Sequence, residues 1–336
     1  MRFYLLHKIS IIRAIISSGN RVAYLVLLYK VIALIVKPID ALLSVLGVFF
    51  KAADNKPSMI FIVGSHRSGA TFISQVLAEQ FPFYSIGNFN SLFPKSSYLI
   101  HKLFKPNVFK CKELVHHNYY GQTAGLFEIN DAHEVWDQWY SGDHSTIPEN
   151  LSIDVKKNMF SYFSKLYSSV GVPIISKSGR NSLNIFQLDS IFDNGFFIVI
   201  DRNLEDIVIS TLRATSTFKG GRKGWGIKVD DTHICNDNND QVTSAVIQCI
   251  KVKNKIRSQL RKIDKSKYIV VDYKIFCNDT EAQLQLIINA FALVNKFKYK
   301  GKICNYPKFK ASSCVDKKLI NKVQKTIRKY DYMIER

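Results

Sequence analysis

Nowhere in this chain does an uncharged apolar run approach the roughly 20 residues a helix needs to cross a bilayer. The first fifty residues come closest, but Arg2, Lys8, Arg13, Arg21, Lys30, Lys37 and Asp40 interrupt them. Arg13 also breaks the apolar core that a secretory signal peptide requires. Cysteine pairs are missing too. Cys111, Cys235, Cys249, Cys277, Cys304 and Cys314 stand singly, with no CxxC and no histidines at zinc spacing, which argues against a zinc module. A reducing compartment is the simplest reading, while the even number of cysteines keeps disulfides and a lumenal location open. Acidic residues are few, 27 against 47 lysines and arginines, for a formal charge of +20. A surface of that sign seeks anionic company, such as an anionic co-substrate, an acidic lipid surface or an acidic glycan. No nucleic-acid module is recognisable and the cations are scattered, so nucleic acid is not the expected partner. Internal repeats and low-complexity tracts are likewise absent.

What is present is an apolar strand running into a small-residue turn, Ile60-Phe61-Ile62-Val63-Gly64-Ser65-His66-Arg67-Ser68-Gly69-Ala70-Thr71. Glycine and serine let backbone approach a phosphate, consecutive N–H groups form an anion nest, and a helix starting near Thr71 points its positive end at the same spot. One lysine is missing from this loop. An ATP or GTP loop reads GxxxxGKS or GxxxxGKT; Gly64 and Gly69 keep that separation, but Ala70 stands where the lysine belongs. The charge sits inside the loop instead, at Arg67, whose planar guanidinium suits a 5′-phosphate or a sulfonate. An ordinary strand–turn–helix corner is the plain alternative.

A second segment, Gly195-Phe196-Phe197-Ile198-Val199-Ile200-Asp201-Arg202, repeats the pattern of apolar strand and polar turn. Ser210 follows Arg202 by eight residues, about two helical turns, so a guanidinium and a hydroxyl converge on one anion. Strands are expected at Met59–Gly64, Pro173–Lys177, Phe196–Asp201 and Tyr268–Tyr273. Helices are expected at Thr71–Gln80, Val155–Ser169, Leu204–Ala214, Asp240–Lys262, Thr280–Val294 and Asp316–Tyr332. Strands separated by helices predict an α/β fold with a parallel sheet, helices on both faces, and ligands at the carboxyl ends of the strands.

In combination these residues resemble the sulfotransferases that use 3′-phosphoadenosine 5′-phosphosulfate (PAPS), over most of the chain from about Pro57 to about Leu293. The loop Gly64-Ser65-His66-Arg67-Ser68-Gly69-Ala70-Thr71 is similar to the family's GxPRSGTT, which holds the 5′-phosphosulfate. Arg202-Asn203-Leu204-Glu205-Asp206 through Ser210 is similar to its RNPxDxxxS, which holds the 3′-phosphate. Ile174-Ile175-Ser176-Lys177-Ser178-Gly179-Arg180-Asn181 resembles the lysine-bearing KxPxN strand end, and Ile269 to Phe276 the late vxYExL strand. The chain departs from the pattern at His66, Gly179 and Leu204, where proline is usual, at Ala70 for threonine and at Lys274 for glutamate. Thr71 keeps one hydroxyl at the loop, and a backbone nest binds anions through N–H groups, so adjusted contact is expected.

The resemblance implies PAPS as co-substrate with no metal required, since lysine and arginine can do what magnesium does in kinases. It sets Arg67 on the 5′-phosphate and Lys177 near the bridging or sulfonate oxygens, a solvated loop lysine being the alternative. It also singles out the acidic window Gly125 to Trp139, with Glu128 as first choice of general base and His133 as second. Desolvation among Phe127, Trp136 and Trp139 would raise the Glu128 pKa toward neutrality, as suits a base. Read plainly, the window is a helix start capped by Asn130 or Asp131 and supported by Glu134, with Trp136 and Trp139 as core. In Gly220 to Lys228, Arg222 or Lys223 is a candidate for the 3′-phosphate or an acidic acceptor, a surface loop being the other reading.

The expected organisation is a basic, apolar helical extension at 1–56 and a sulfotransferase-like catalytic domain at 57–336. For the extension, amphipathic helices in the interface of an anionic membrane lead, ahead of a kinked span broken near Pro38 and of helices packed on the domain. The expected activity is sulfuryl transfer from PAPS to a hydroxyl of a glycan or glycolipid, at the cytoplasmic face of a membrane. A small-molecule or nucleoside kinase, and a non-catalytic membrane-bound nucleotide- or glycan-binding protein, are the alternatives.

Overall fold

The computed structural model describes residues 17, 19–50, 56–104, 118–119, 122–140, 150–217, 226–227, 229, 241–304, 306, 308–309 and 316–335. Arg21–Leu46 forms one helix (α1). The first strand, Met59–Gly64 (β1), is followed by helix Ala70–Gln80 (α2), strand Tyr84–Ser85 (β2) and short helices Asn88–Leu92 (α3) and Ser97–Phe104 (α4). An antiparallel pair, Asn118–Tyr119 (β3) with Gln122–Thr123 (β4), precedes the one-turn helix His133–Trp136 (α5) and the long helix Ile153–Val170 (α6). Next come Ile174–Lys177 (β5), a 3₁₀ turn at Gly179–Leu183, helix Ile185–Ile191 (α7) and strand Gly195–Asp201 (β6). Helices Leu204–Thr217 (α8) and Gln241–Leu260 (α9) and strand Tyr268–Asp272 (β7) follow. The remaining helices are Tyr273–Asn278 (α10), Thr280–Asn295 (α11) and Lys317–Lys329 (α12).

Five strands form one parallel sheet in the order β2-β5-β1-β6-β7. Every residue of β1 is buried because both faces of the sheet are covered, which is why this strand reads as a continuous apolar run. Met59, Phe61 and Val63 face a core with Trp136, Phe163 and Phe192, while Ile60 and Ile62 face one with Val76, Leu77 and Ile288. A third apolar cluster joins α8, α9 and α12 through Val208, Val246 and Val323. The expected α/β architecture, with helices on both faces of a parallel sheet, is the one that forms.

Register brings the carboxyl ends of the strands into line. Ile62 lies opposite Lys177, Gly64 opposite Ile200, and Asp201 opposite Asp272, so three expected anion-binding positions share one edge of the sheet. The expected strands recur with ends shifted by at most one residue. Tyr273 is one such shift: it opens α10, because Asp272 Oδ1 accepts a hydrogen bond from the Ile275 N–H at 2.8 Å and turns the chain into a helix. Strand β2 has only two residues, too few for any alternation to be legible.

Helix α1 runs without a break through Pro38, so the break that the alternative of a kinked span placed there does not occur. Proline removes one backbone donor, and the turns on either side keep their own bonds. Asn20 Oδ1 caps the start by accepting from Val22 N at 2.9 Å. By length and composition α1 is apolar enough to cross a membrane. The expected set of several interfacial helices is, among the described residues, this one helix. Cys249 and Cys277 are buried free thiols and Cys304 is an exposed one, whereas Cys111, Cys235 and Cys314 lie outside the described residues.

Candidate active site

The turn after β1 is a sharply constrained piece of backbone. Arg67 has φ 62° and Gly69 φ 97°, both in the left-handed region. An arginine there costs on the order of 1–2 kcal/mol, which neighbouring contacts must offset. Those contacts are present: Arg67 Nε donates to Ser210 Oγ at 3.1 Å, and Arg202 Nη1 donates to the Arg67 carbonyl at 3.1 Å. Gly69 has a second reason to be glycine, since a Cβ would lie 2.2 Å from the Tyr273 ring. At Gly64 a Cβ would meet Ser68 Oγ at 2.8 Å and the Ile200 carbonyl at 3.0 Å. The Gly64 N–H donates to Ser182 Oγ at 2.9 Å, tying the loop to the segment after β5.

Several polar groups at this turn are suited to a ligand. Ser68 Oγ is buried and has no hydrogen-bond partner among the described residues. Ala70 and Thr71 open α2, whose first N–H groups have no intrahelical acceptor and carry the positive end of the helix dipole. Ser65 is buried beside them. His66 turns the other way: its Nε2 lies 3.7 Å from Cys249 Sγ, and its ring packs so closely on Gly226 that a Cβ there would come within 2.5 Å. Burial, with Arg67 beside it, pulls the imidazole down to about 4, so the ring is neutral at physiological pH.

Arg202 is held from three sides. Its guanidinium lies 4.6 Å from the centre of the Tyr273 ring, a cation–π contact, and Asp206 Oδ2 stands 3.9 Å from its Nε. Lys253 on α9 donates to Asp201 Oδ1 at 2.7 Å and to the Arg202 carbonyl at 3.0 Å, which fixes the strand end. Ser210 sits on α8, where the eight-residue spacing brings its hydroxyl to Arg67. Tyr273 and Lys253 are site residues that sequence reasoning missed in these roles. The signal for Tyr273 was its place in the late strand; nothing local marks Lys253.

Lys177 ends β5, one strand away from the loop. Its Nζ donates to Asp131 Oδ2 at 2.8 Å, with the side chains 8% and 21% exposed. Asp131 Oδ1 accepts from the Gly179 N–H at 3.3 Å, so one carboxylate clamps the lysine and the turn after it. Burial works against the Asp131 carboxylate, but Lys177, His133 and the Gly179 N–H outweigh it and hold its pKa below the usual range. Asp131 therefore serves Lys177 and not the helix start, while Asn130 Oδ1 accepts from the Ala132 N–H at 2.8 Å. His133 opens α5 beside this pair.

Glu128 lies on the segment leading to Asp131. Its Oε2 is buried without a hydrogen-bond partner among the described residues, and burial raises its pKa against the opposing N–H groups of Gly125 and Ala124. The segment is pinned by Asn88, whose Nδ2 donates to the Gly125 carbonyl at 2.8 Å and the Thr123 carbonyl at 3.0 Å, and by Asn130, which donates to Asn88 Oδ1. Gly87 passes so close that a Cβ would lie 1.9 Å from the Glu128 carbonyl oxygen. Trp136 and Trp139 are core residues, packed with Tyr140 and Phe163. Arg180 is fully buried, bonded to Asp137 and to the Tyr140 carbonyl, and braces the same region. Arg222 and Lys223 lie outside the described residues.

The geometry thus gathers the loop, Arg202, Ser210 and Lys177 at one edge of the sheet, with a partly desolvated carboxylate on the segment that Asp131 joins to Lys177. Comparison with known proteins bears on what such an edge belongs to. Crystal structures of sulfotransferases from Mycobacterium tuberculosis and Mycobacterium avium are similar to this chain at 13% and 12% identity. The first match covers 72% of this chain and 68% of the other at a TM-score of 0.45, the second 84% and 78% at 0.46. A sulfotransferase domain from the curacin biosynthetic pathway is similar at 13% identity, over 83% of this chain and 99% of that domain, with a TM-score of 0.41. No curated protein matches the chain. The sequence profile of the sulfotransferase family matches residues 57–294, well over half of the 336 residues and the whole of the sheet just described, and the chain belongs to that family.

Proposed function

We propose that this protein transfers the sulfuryl group of PAPS to a hydroxyl of a glycan or glycolipid. The observation that carries this reading is the linkage of Arg67 to Ser210 and of Arg202 to the Arg67 carbonyl, which joins two cationic turns at one end of the sheet. Two guanidinium groups on adjacent turns suit a ligand with two separate phosphates, and Ala70 denies the loop the lysine of γ-phosphate chemistry. The orphaned, buried Ser68 hydroxyl fits the same anion.

PAPS, when bound, supplies a sulfuryl group activated by its bond to a phosphate. The loop from Gly64 to Thr71, with Arg67, holds the 5′-phosphate, and Arg202 with Ser210 holds the 3′-phosphate, assisted by Arg222 or Lys223. Lys177 offsets the negative charge that grows on the leaving phosphate. Glu128, with His133 as second candidate, takes the hydroxyl proton as the new S–O bond forms and the old one breaks. Lysine and arginine supply the charge that magnesium supplies in kinases, so the reading calls for no metal. The formal charge of +20 and the apolar α1 support an anionic or lipid-linked acceptor at the cytoplasmic face of a membrane.

The test is a thermal-shift titration with 3′,5′-ADP, 5′-ADP and ATP on wild type and Arg202→Ala. At a hundred times its dissociation constant 3′,5′-ADP is expected to stabilise the wild type by about 2.7 kcal/mol, with that preference lost in the variant. Tighter binding of ATP with magnesium, or no nucleotide binding at all, overturns the reading.

A further inference from the structure

Helix α1 has two unlike faces. Toward the catalytic domain it buries Val22, Ala23, Val26 and, farther along, the carboxylate of Asp40, which is 2% exposed. Asp40 Oδ1 accepts from Ser96 N at 2.9 Å and Ser96 Oγ at 2.7 Å, and both its oxygens accept from Lys95 N at 3.2 Å. These N–H groups belong to the two residues just before α4, so a carboxylate of α1 holds that turn and places a negative charge at the helix end that favours it. Tyr29 Oη donates to the Ala124 carbonyl at 2.7 Å, and Lys165 Nζ donates to the Gly47 carbonyl at 2.9 Å. Tyr29, Asp40 and Gly47 thus fasten the helix over eighteen residues, about 27 Å at 1.5 Å per residue.

The opposite face is uncovered by the described residues. Leu28, Val31, Ile35, Ile39, Leu42 and Leu46 recur at three- and four-residue steps and are all exposed by at least half. At the C-terminal end of α1 the stripe is extended by α4, where Leu103 and Phe104 are exposed and Lys102 Nζ lies 4.1 Å from the Phe50 ring. An apolar stripe of this extent on a folded protein marks a contact surface. Arg21, Lys30 and Lys37 are exposed on the same helix, and its one carboxylate, Asp40, is buried. The exposed surface of α1 therefore carries no carboxylate. Acyl chains receive the apolar stripe, and anionic headgroups neutralise the cations of the helix.

A crossing orientation conflicts with these contacts. The hydrocarbon core is about 30 Å thick, so a helix fastened over about 27 Å would carry the Ala124 segment, the start of α4 and Lys165 to hydrocarbon depth. We propose that α1 is an in-plane anchor for an anionic bilayer that does not cross it, and that its seat on the domain holds the segment bearing Glu128 beside the headgroups. Ala124, bonded to Tyr29, is four residues from Glu128, so the acceptor hydroxyl is presented from the lipid plane. That last step rests on Glu128 being the base; the anchor itself does not.

The experiment uses the full chain with no nucleotide and no acceptor, which separates it from the catalytic reading. Co-flotation is measured with phosphatidylcholine vesicles and with vesicles that also contain phosphatidylglycerol. Binding is expected to favour the anionic vesicles by about tenfold or more, and Lys30→Gln with Lys37→Gln to remove most of that preference. Leu28→Glu with Ile35→Glu is expected to abolish binding to both vesicles at an unchanged melting temperature, because both residues face outward. A protease site placed before Arg21 is expected to be cut from outside on vesicle-bound protein. The proposal is overturned if that site is protected, if neither vesicle binds, or if the Leu28→Glu/Ile35→Glu variant binds as wild type. A dimer of the wild type that this variant dissociates in lipid-free sedimentation overturns it too, since the stripe would then be covered by a second copy.

Discussion

Lys177 at the end of β5 and Asp131 on the segment before α5 form an ion pair of 2.8 Å across 46 residues of sequence. The pair decides which way the cation on this strand end points, and it links the carboxyl-end edge of the sheet to the segment of the candidate base. Asp131→Asn removes the charge that holds the lysine. A 10- to 100-fold loss of kcat is expected, of the order that misplacing one catalytic group costs, with 3′,5′-ADP affinity little changed. Because the folded Asp131 pKa lies below its unfolded value, the stabilisation it gives is present at neutral pH and is lost as pH falls through the folded pKa. Urea titrations of wild type and Asp131→Asn at several pH values check this: the two should differ at neutral pH and converge in acid.

Ser210 accepts from Arg67 and, in the proposed reading, binds the 3′-phosphate as well. Ser210→Ala is expected to weaken 3′,5′-ADP by about 3- to 10-fold, the worth of a hydrogen bond of 0.5–1.5 kcal/mol, and 5′-AMP by less. Calorimetry with both nucleotides measures the difference. Equal losses would remove Ser210 from the 3′-phosphate.

Gly69→Ala meets the Tyr273 ring at 2.2 Å and forces a side chain into φ 97°. A destabilisation of about 2–5 kcal/mol is expected, the left-handed backbone contributing about 1–2 and the overpacking about 1–3 kcal/mol. Adding Tyr273→Ala to Gly69→Ala relieves the clash and leaves the backbone strain, so a double-mutant cycle by denaturant unfolding should show coupling of more than about 0.5 kcal/mol. Tyr273→Ala alone should weaken the seat of Arg202 and with it 3′,5′-ADP binding, by about 0.5–2 kcal/mol.

Glu128→Gln should separate activity from stability. Loss of a general base lowers kcat by about 10²- to 10⁴-fold with nucleotide binding retained. The folded carboxyl titrates above its unfolded value, so the folded state binds more protons and stability falls as pH rises through that window. Glutamine carries no such penalty, and the variant should melt higher than wild type at neutral pH. In wild type the acid limb of the kcat/KM profile should lie above the ordinary carboxylate range and vanish in the residual activity of the variant.

The major strands, the six longest described helices after residue 57 and the turn after β1 were legible because their signals are local. β1 is a continuous apolar run, α8 begins right after Arg202, and Gly64 and Gly69 bracket a turn whose spacing is written in the chain. The short elements β2, α3 and α4 were not legible, since a two-residue strand and helices of five and eight residues are too short to show a period. Asp131 read as a helix cap for a related reason. Its residue type and position suit a cap, and the lysine that claims it lies far along the chain.

The extension shows the same division more sharply. From sequence alone, the apolar positions and cations of residues 21 to 46 determine that a helix with affinity for an interface is feasible, since helix periodicity and charge are properties of neighbouring residues. Only the tertiary structure decided that the helix is continuous through Pro38, that Asp40 turns inward to bond Ser96 across 56 residues, and that one particular face is left uncovered by the described residues. Likewise the sequence determined which residues are candidates for binding an anion, and the sheet register decided that they meet at one edge. The physical reason is common to both: propensity and pattern act within a few residues, whereas a buried charge finds its partner only after the chain between them has folded.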